Sequence, residues 1–225
     1  MEVNKILIPF LLILLLVSCS NTSEFETGEI QTLQLLKKAF DQSNETKVFI
    51  DAKKLLNREQ IDTFAIPILY VELASGQNGT LLPYPGQGIG QTWLGADGAT
   101  VTLQRGVVKA SRGMGDDLMG SSSSMPPWSK IKNNHQIYSR KQSYITGNND
   151  IYSRIFRCDI QKADRGSIIE VWDVEFPVTE FKEVCASSNL EIKNTYYLDS
   201  RNIVRKSKQY HGDTIGYIVI ERLDR

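Results

Sequence analysis

The chain has 225 residues, 26 Lys and Arg against 26 Asp and Glu, and an apolar share of 41%. That length suits one domain of ordinary size with a substantial core. A formal net charge of zero gives no global pull toward nucleic acid, so contact with any polyanion must rest on local charge.

The chain opens MEVNKILIPFLLILLLVSCS, with Lys5 before twelve apolar residues, Ile6 to Val17, and a break at Ser18-Cys19. At about 1.5 Å per residue this run is too short for a hydrocarbon core about 30 Å thick. It predicts a secretory signal over residues 1–18. Leu16-Val17-Ser18-Cys19 also fits the bacterial lipobox, in which Cys19 is diacylated, becomes the mature N-terminus and is acylated again. Several acyl chains, at about 0.8 kcal/mol per buried methylene, anchor far more firmly than one. Ser20 follows Cys19, where an Asp would signal retention at the inner membrane, so the expected location is the outer membrane, facing the periplasm. Removing residues 1–18 of 225 leaves 207. Residues 19–28 read as the lipidated start and a polar tether, and residues 29–225 as a single β-rich domain.

In chain order, Glu29–Phe40 (EIQTLQLLKKAF) spaces Ile30, Leu33 and Phe40 as one short amphipathic helix, packed on a sheet or lying on a membrane. Phe64–Ser75 then reads as a strand whose start Pro67 demotes to an edge or bulge. Leu81-Leu82 and Thr92–Leu94 are further extended runs. Ala99–Arg105 alternates Val101 and Leu103 with polar residues, and Gly106 leads into Val107–Ser111, a hairpin turning near Gln104–Gly106. The glycines here and at Gly86–Gly90 lead into alternating β pattern and not into a helix N-terminus, which argues against a phosphate-cradling loop. Gly113–Trp128 (GMGDDLMGSSSSMPPW) reads as a long irregular surface connection.

The second half predicts strands at Gln136–Gly147, Ile151–Ala163, Ser167–Phe176, Val178–Cys185, Glu191–Leu198, Ile203–His211 and Ile215–Arg222, with short turns between them. The expected fold class is all-β: an antiparallel meander forming a curved sheet or barrel-like body, which manages many strands without long open edges.

Cys158 and Cys185 form an even pair in an exported chain once Cys19 is lipidated. They read as one disulfide or as two buried thiols. Closing a loop of about 28 residues stabilises by about 3.5 kcal/mol on the chain-entropy model. Two distant histidines, His135 and His211, and no CxxC leave no metal-ligand pattern. The sequence has no G-x-S-x-G, and a serine-rich loop holds a nucleophile poorly. Glycoside cleavage needs paired carboxylates, for which Glu170, Asp173, Glu175, Asp116 and Asp117 are available on paper. A basic run, Arg201, Arg205, Lys206 and Lys208, reads as a solvated face or as a contact for an anionic polymer or headgroup. Trp172, Tyr196, Tyr197, Tyr210 and Tyr217 are core or sugar-stacking residues.

The lipobox and the helix are followed by LNREQIDTFAIPILYVEL, WLGADGATVTLQRGVVKASRGMGDDL, RCDIQ with EVWDVEFPVTEFKEVC, and NTYYLDSRNIVRKSKQYHGDTIGYIVIERL. Together these resemble the YjbF/GfcB family of group 4 capsule lipoproteins across almost the whole mature chain. The most specific pieces are the Trp93–Val108 hairpin with Gly113, Asp116, Asp117 and Leu118 after it, and the terminal strand pair from Tyr196 to Gly212. The resemblance implies a periplasmic β-rich body held by lipid at Cys19, alongside other polysaccharide-secretion proteins. No catalytic residues are established for the family, so none carries over. Cys158 and Cys185 match a pair in some members only. After Asp199 this chain has Ser200-Arg201-Asn202 where relatives tend to have a glycine, and Asn202 can supply the left-handed conformation.

The combined expectation is a non-enzymatic outer-membrane lipoprotein assisting assembly or export of capsule or exopolysaccharide, with no cofactor, metal or nucleic-acid partner. Its partners would be the membrane, secretion proteins and the polymer itself. The alternatives are a periplasmic carbohydrate-active enzyme, hydrolase or lyase, and a purely structural envelope lipoprotein.

Overall fold

The computed structural model describes residues 51–86, 88, 90–123, 128, 131 and 135–225. The signal segment, Cys19, the tether and the helix expected over Glu29–Phe40 lie outside the described residues.

Two short helices come first. Asp51 accepts a hydrogen bond from Lys53 N (3.0 Å) and caps α1, Ala52–Leu55. A capping box opens α2, Arg58–Asp62: Asn57 Oδ1 accepts from Gln60 N and Gln60 Oε1 from Asn57 N, each at 2.9 Å. These reciprocal bonds satisfy donors that a helix start otherwise leaves bare.

The strands then follow without βαβ crossovers: β1 Leu69–Leu73, β2 Asn78–Tyr84, β3 Gln91–Gly95, β4 Thr100–Gln104, β5 Val107–Arg112, β6 Asp117–Ser123, β7 His135–Ile145, β8 Ile151–Lys162, β9 Ser167–Val171, β10 Val174–Ala186, β11 Glu191–Leu198, β12 Val204–Gly212 and β13 Gly216–Arg222. Their order in the sheet is β5-β4-β3-β2-β1-β13-β12-β11-β10-β8-β7-β6, with β9 attached to β10 alone. Every strand pair among the described residues is antiparallel, and β13 meets β1 with Ile220 opposite Val71. The meander therefore runs almost a full circle. At the one remaining joint, β5 and β6 are bridged by side chains: Leu118 N donates to Ser111 Oγ (3.0 Å), Arg112 to Leu118 O (3.0 Å), and Lys109 Nζ to Ser123 Oγ (3.1 Å). This is the expected all-β meander in its barrel-like form.

Alternation sorts the residues between two faces. Leu69 and Val71 point inward to Trp93, Val101, Leu118, Ile218 and Ile220. A second inward cluster joins Phe156, Ile160, Phe181, Ile192, Tyr196 and Trp128. Burying one such side chain is worth about 1.5–3 kcal/mol. Tyr70, between Leu69 and Val71, points outward and packs with Ile68, Leu223, Val178, Ile61 and Ala52, so α1, α2 and the β9–β10 ribbon coat part of the ring's outside.

The Arg105-Gly106 turn takes φ 53° and 81°, as a tight hairpin requires. A Cβ on Gly106 would lie 2.2 Å from Val204 Cγ2, so this glycine also lets the turn reach the opposite wall. Asn202 adopts φ 62°, which keeps the β11–β12 turn without glycine.

Two sequence expectations are corrected. Ser167–Phe176 is not one strand: Trp172 and Asp173 take φ 48° and 62° and fold it into the β9–β10 hairpin. Packing holds this turn, since the Trp172 ring meets Tyr70 edge-on at 5.5 Å. Gly113–Trp128 is not wholly irregular. Asp117–Ser123 forms β6 opposite β7, and Trp128 is a core residue that donates to Arg105 O at 3.0 Å and packs on Phe181 and Tyr196.

Candidate functional site

Long strands in register build cross-strand rows. On the outer face one row reads Tyr70, Glu221, Lys206, Tyr197, Glu180, crossing β1, β13, β12, β11 and β10. The neighbouring row reads Glu72, Val219, Lys208, Thr195, Lys182. Lys206 Nζ lies 2.7 Å from Glu221 Oε1, and Tyr197 donates to Glu180 at 3.1 Å. Lys208 Nζ stands 5.2 Å over the Tyr217 ring, whose hydroxyl accepts from Lys193 N at 2.9 Å. Lys182 is exposed beside Glu180 (3.4 Å). Among the described residues no carboxylate is paired with Lys208. A surface of amines interleaved with tyrosine faces offers cation contacts to acidic groups and flat apolar contacts to sugar rings.

The basic run predicted from sequence divides. Lys206 and Lys208 join this face, and Arg201 is exposed at the β11–β12 turn, 3.4 Å from Asp199. Arg205 goes elsewhere: it is 0% exposed, its Nε donates to Asp199 (2.8 Å), another nitrogen to Asp224 O, and its guanidinium lies 4.5 Å from the Phe176 ring centre. It locks the turn to the C-terminus and offers no surface to a polymer. Burial acts on Asp199 in the opposite sense, yet the Ile203 N–H and Arg205 hold its carboxyl below the usual range.

The interior carries a second polar system that sequence reading missed. Glu183 and Cys185 point inward from β10, Cys158 from β8, and the two cysteines face each other in register and are bonded. The disulfide leaves no thiolate beside Glu183 for a metal. Arg140 donates to Glu183 Oε1 at 2.6 Å and to Tyr138 at 2.9 Å. Asn194 and Tyr196 donate to Glu183 Oε2 at 2.5 and 3.2 Å. Burial pushes the Glu183 carboxyl up to about 7, against those two hydrogen bonds. Across the ring, Gln209 on β12 accepts from Val108 N (3.0 Å) and donates to Gly106 O (2.8 Å), and His211 Nε2 pairs with Ser111 Oγ at 2.8 Å. Burial drives His211 down to about 4, so it is neutral in the folded chain at neutral pH. These groups tie opposite walls together.

The acids considered for glycoside cleavage fall in two places, the β5–β6 turn and the β9–β10 ribbon. Asp117 accepts from Gly113 N and Met114 N at the β5–β6 turn, Asp116 from Thr214, and Glu170 lies on the outer ribbon opposite Glu175. Among the described residues no hydrogen bond joins Glu170 to Asp117.

Residues 24–223 match a family model described as group 4 capsule polysaccharide lipoprotein gfcB, YjbF. No curated protein matches the chain. Among solved structures it is similar to the crystal structure of the hypothetical lipoprotein YmcC from Escherichia coli (K12), with a TM-score of 0.66, 15% identity, and coverage of 90% of this chain and 98% of that one.

Proposed function

Because the chain belongs to the YjbF family of group 4 capsule polysaccharide lipoproteins, we propose that it is a non-enzymatic lipoprotein of the bacterial outer membrane, anchored through Cys19 and facing the periplasm. There it assists assembly or export of capsule or exopolysaccharide, alongside secretion proteins. The signal segment, residues 1–18, would be removed on export. The ring supplies a rigid body, and its outer face supplies a weak hold on polymer.

The observation that carries the second half of this reading is the cross-strand grid of Lys182, Lys206 and Lys208 with Tyr197 and Tyr217. Exposed ion pairs such as Lys182–Glu180 are worth little in water, so an acidic polymer displaces them at small cost. Several weak contacts along one chain then add by multivalency.

The test is crosslinking in intact cells and pull-down through the lipidated chain, with Lys208→Glu and Arg201→Glu as comparisons. Recovery of secretion components and of acidic polysaccharide is expected, with polymer retention falling several-fold in the double variant and at high salt. Recovery of neither overturns the reading. Chain shortening of isolated polysaccharide by the purified protein, abolished by Asp117→Asn, would replace it with an enzymatic one.

A further inference from the structure

Among the described residues, the outer coat of α1, α2 and the β9–β10 ribbon stops short of β7 and β8. On that bare stretch Ile151 is 63% exposed, Ile155 66%, and Ile137 46%. All three point outward, because Phe156, Cys158 and Ile160 on β8 and Tyr138 and Tyr144 on β7 alternate inward. The cross-strand rows read Ile145 with Ile151, Ser143 with Ser153, Lys141 with Ile155, Ser139 with Arg157, and Ile137 with Asp159. Val184 on β10, 39% exposed, adjoins Asp159. The cations Lys141 and Arg157 are exposed beside Ile155, and among the described residues neither forms an ion pair with a carboxylate. Asp159, the acid on these rows, is paired with His135 at 2.8 Å.

Isoleucines set at intervals along an exposed strand pair, with serines between them, leave apolar surface that a covering partner would bury. Its occupant must accept isoleucines and also complement two amines. A soluble polymer answers the cations and not the isoleucines. A bilayer containing acidic phospholipid answers both: apolar side chains enter the headgroup boundary while Lys and Arg meet lipid phosphates. The chain preceding Asp51 leads back to Cys19, so an anchored body stays at high local concentration beside such a surface.

We propose that the outer face of β7 and β8 docks on the membrane surface, with Ile137, Ile151 and Ile155 at the headgroup boundary and Lys141 and Arg157 on anionic headgroups. This rests on the anchoring reading above, and it fixes which side of the ring faces lipid. The Lys182–Lys208 rows begin on β10, the strand next to β8, and run away from it across β11, β12 and β13.

The lipidated chain in vesicles of phosphatidylglycerol and phosphatidylethanolamine, doped with a headgroup nitroxide, tests this by isoleucine methyl NMR. Strong broadening is expected at Ile137, Ile151 and Ile155, and little at Ile168, which is equally exposed at 66% but lies on β9. Equal broadening at Ile155 and Ile168 overturns the proposal. So does broadening that depends on protein concentration, which would mark the face as a contact between two copies. In parallel, the mature chain from residue 19 onward, carrying Cys19→Ser, is floated with the same vesicles. Retention should fall about fivefold for each of Lys141→Gln and Arg157→Gln, and further for Ile151→Ser with Ile155→Ser. Unchanged retention in all of these variants also overturns it. Failure of the anchoring reading is scored separately, by the intact mass of the mature chain.

Discussion

The interior buries an acid in one region and a base in another, and the two are given different partners. Glu183 sits among Arg140, Asn194, Tyr196 and a disulfide, so its charge is surrounded by donors. His211 pairs with one hydroxyl, Ser111, and burial holds it neutral against the pull of Asp117 and Asp116. Burial disfavours the charged form of both groups, and at Glu183 the bonds from Asn194 and Tyr196 oppose it. The consequence is a pair of opposed pH dependences. The unfolded chain releases the Glu183 proton near 4.5, whereas the folded protein holds it to about 7, so this contribution is full at low pH and lost as the pH rises through that window. His211 has an ordinary value of 6.5 and a folded value of about 4, so its contribution is full above 6.5 and lost as the pH falls.

The largest way to break the comparison is Glu183→Ala, which strands the Arg140 charge in the interior. A loss of about 3–5 kcal/mol is expected in urea unfolding, with most of it recovered when Arg140→Met accompanies Glu183→Gln. Next comes the staple beside it. Cys158→Ala with Cys185→Ala should cost about 3.5 kcal/mol on the loop-entropy model, and a reductant should lower the melting temperature of the native chain but not of that variant. The smallest effect sharpens the contrast. His211→Asn should remove the acid-side loss, leaving stability that only declines from pH 5 to 7. Glu183→Gln should leave stability that only rises over the same range. Each slope amounts to about 1–3 kcal/mol across the window, read by denaturant midpoints at fixed pH.

How much of this was legible in the sequence depended on whether the determinant was local. Alternation at Val101 and Leu103 with Gly106 after them marked the β4–β5 hairpin, and the even cysteine count pointed to the Cys158–Cys185 bond as one of two readings. The β9–β10 turn was hidden because Trp172 is not a turn residue by local preference and Asp173 alone is a weak signal. The Trp172 ring packs on Tyr70, far away in sequence. Strand β6 was hidden by Gly120 and its serines, which look like linker and become a strand only because β7 pairs with them. The basic run misled at Arg205 because position on a strand predicts a face, whereas Asp199 and Phe176 at the rim turn that face into a pocket. The grid of Lys208, Thr195 and Lys182 depends on register among three strands, and no single segment carries register.

The seam between β5 and β6 has a mechanical meaning. Eleven of the twelve joints in this ring are ladders of peptide groups, which no point mutation short of proline can edit. The twelfth is a buckle of Ser111, Arg112 and Lys109. Exchanging those three side chains would loosen or tighten the hoop while every peptide ladder stays as it is, which makes this the place where the circumference of the ring is open to tuning by mutation.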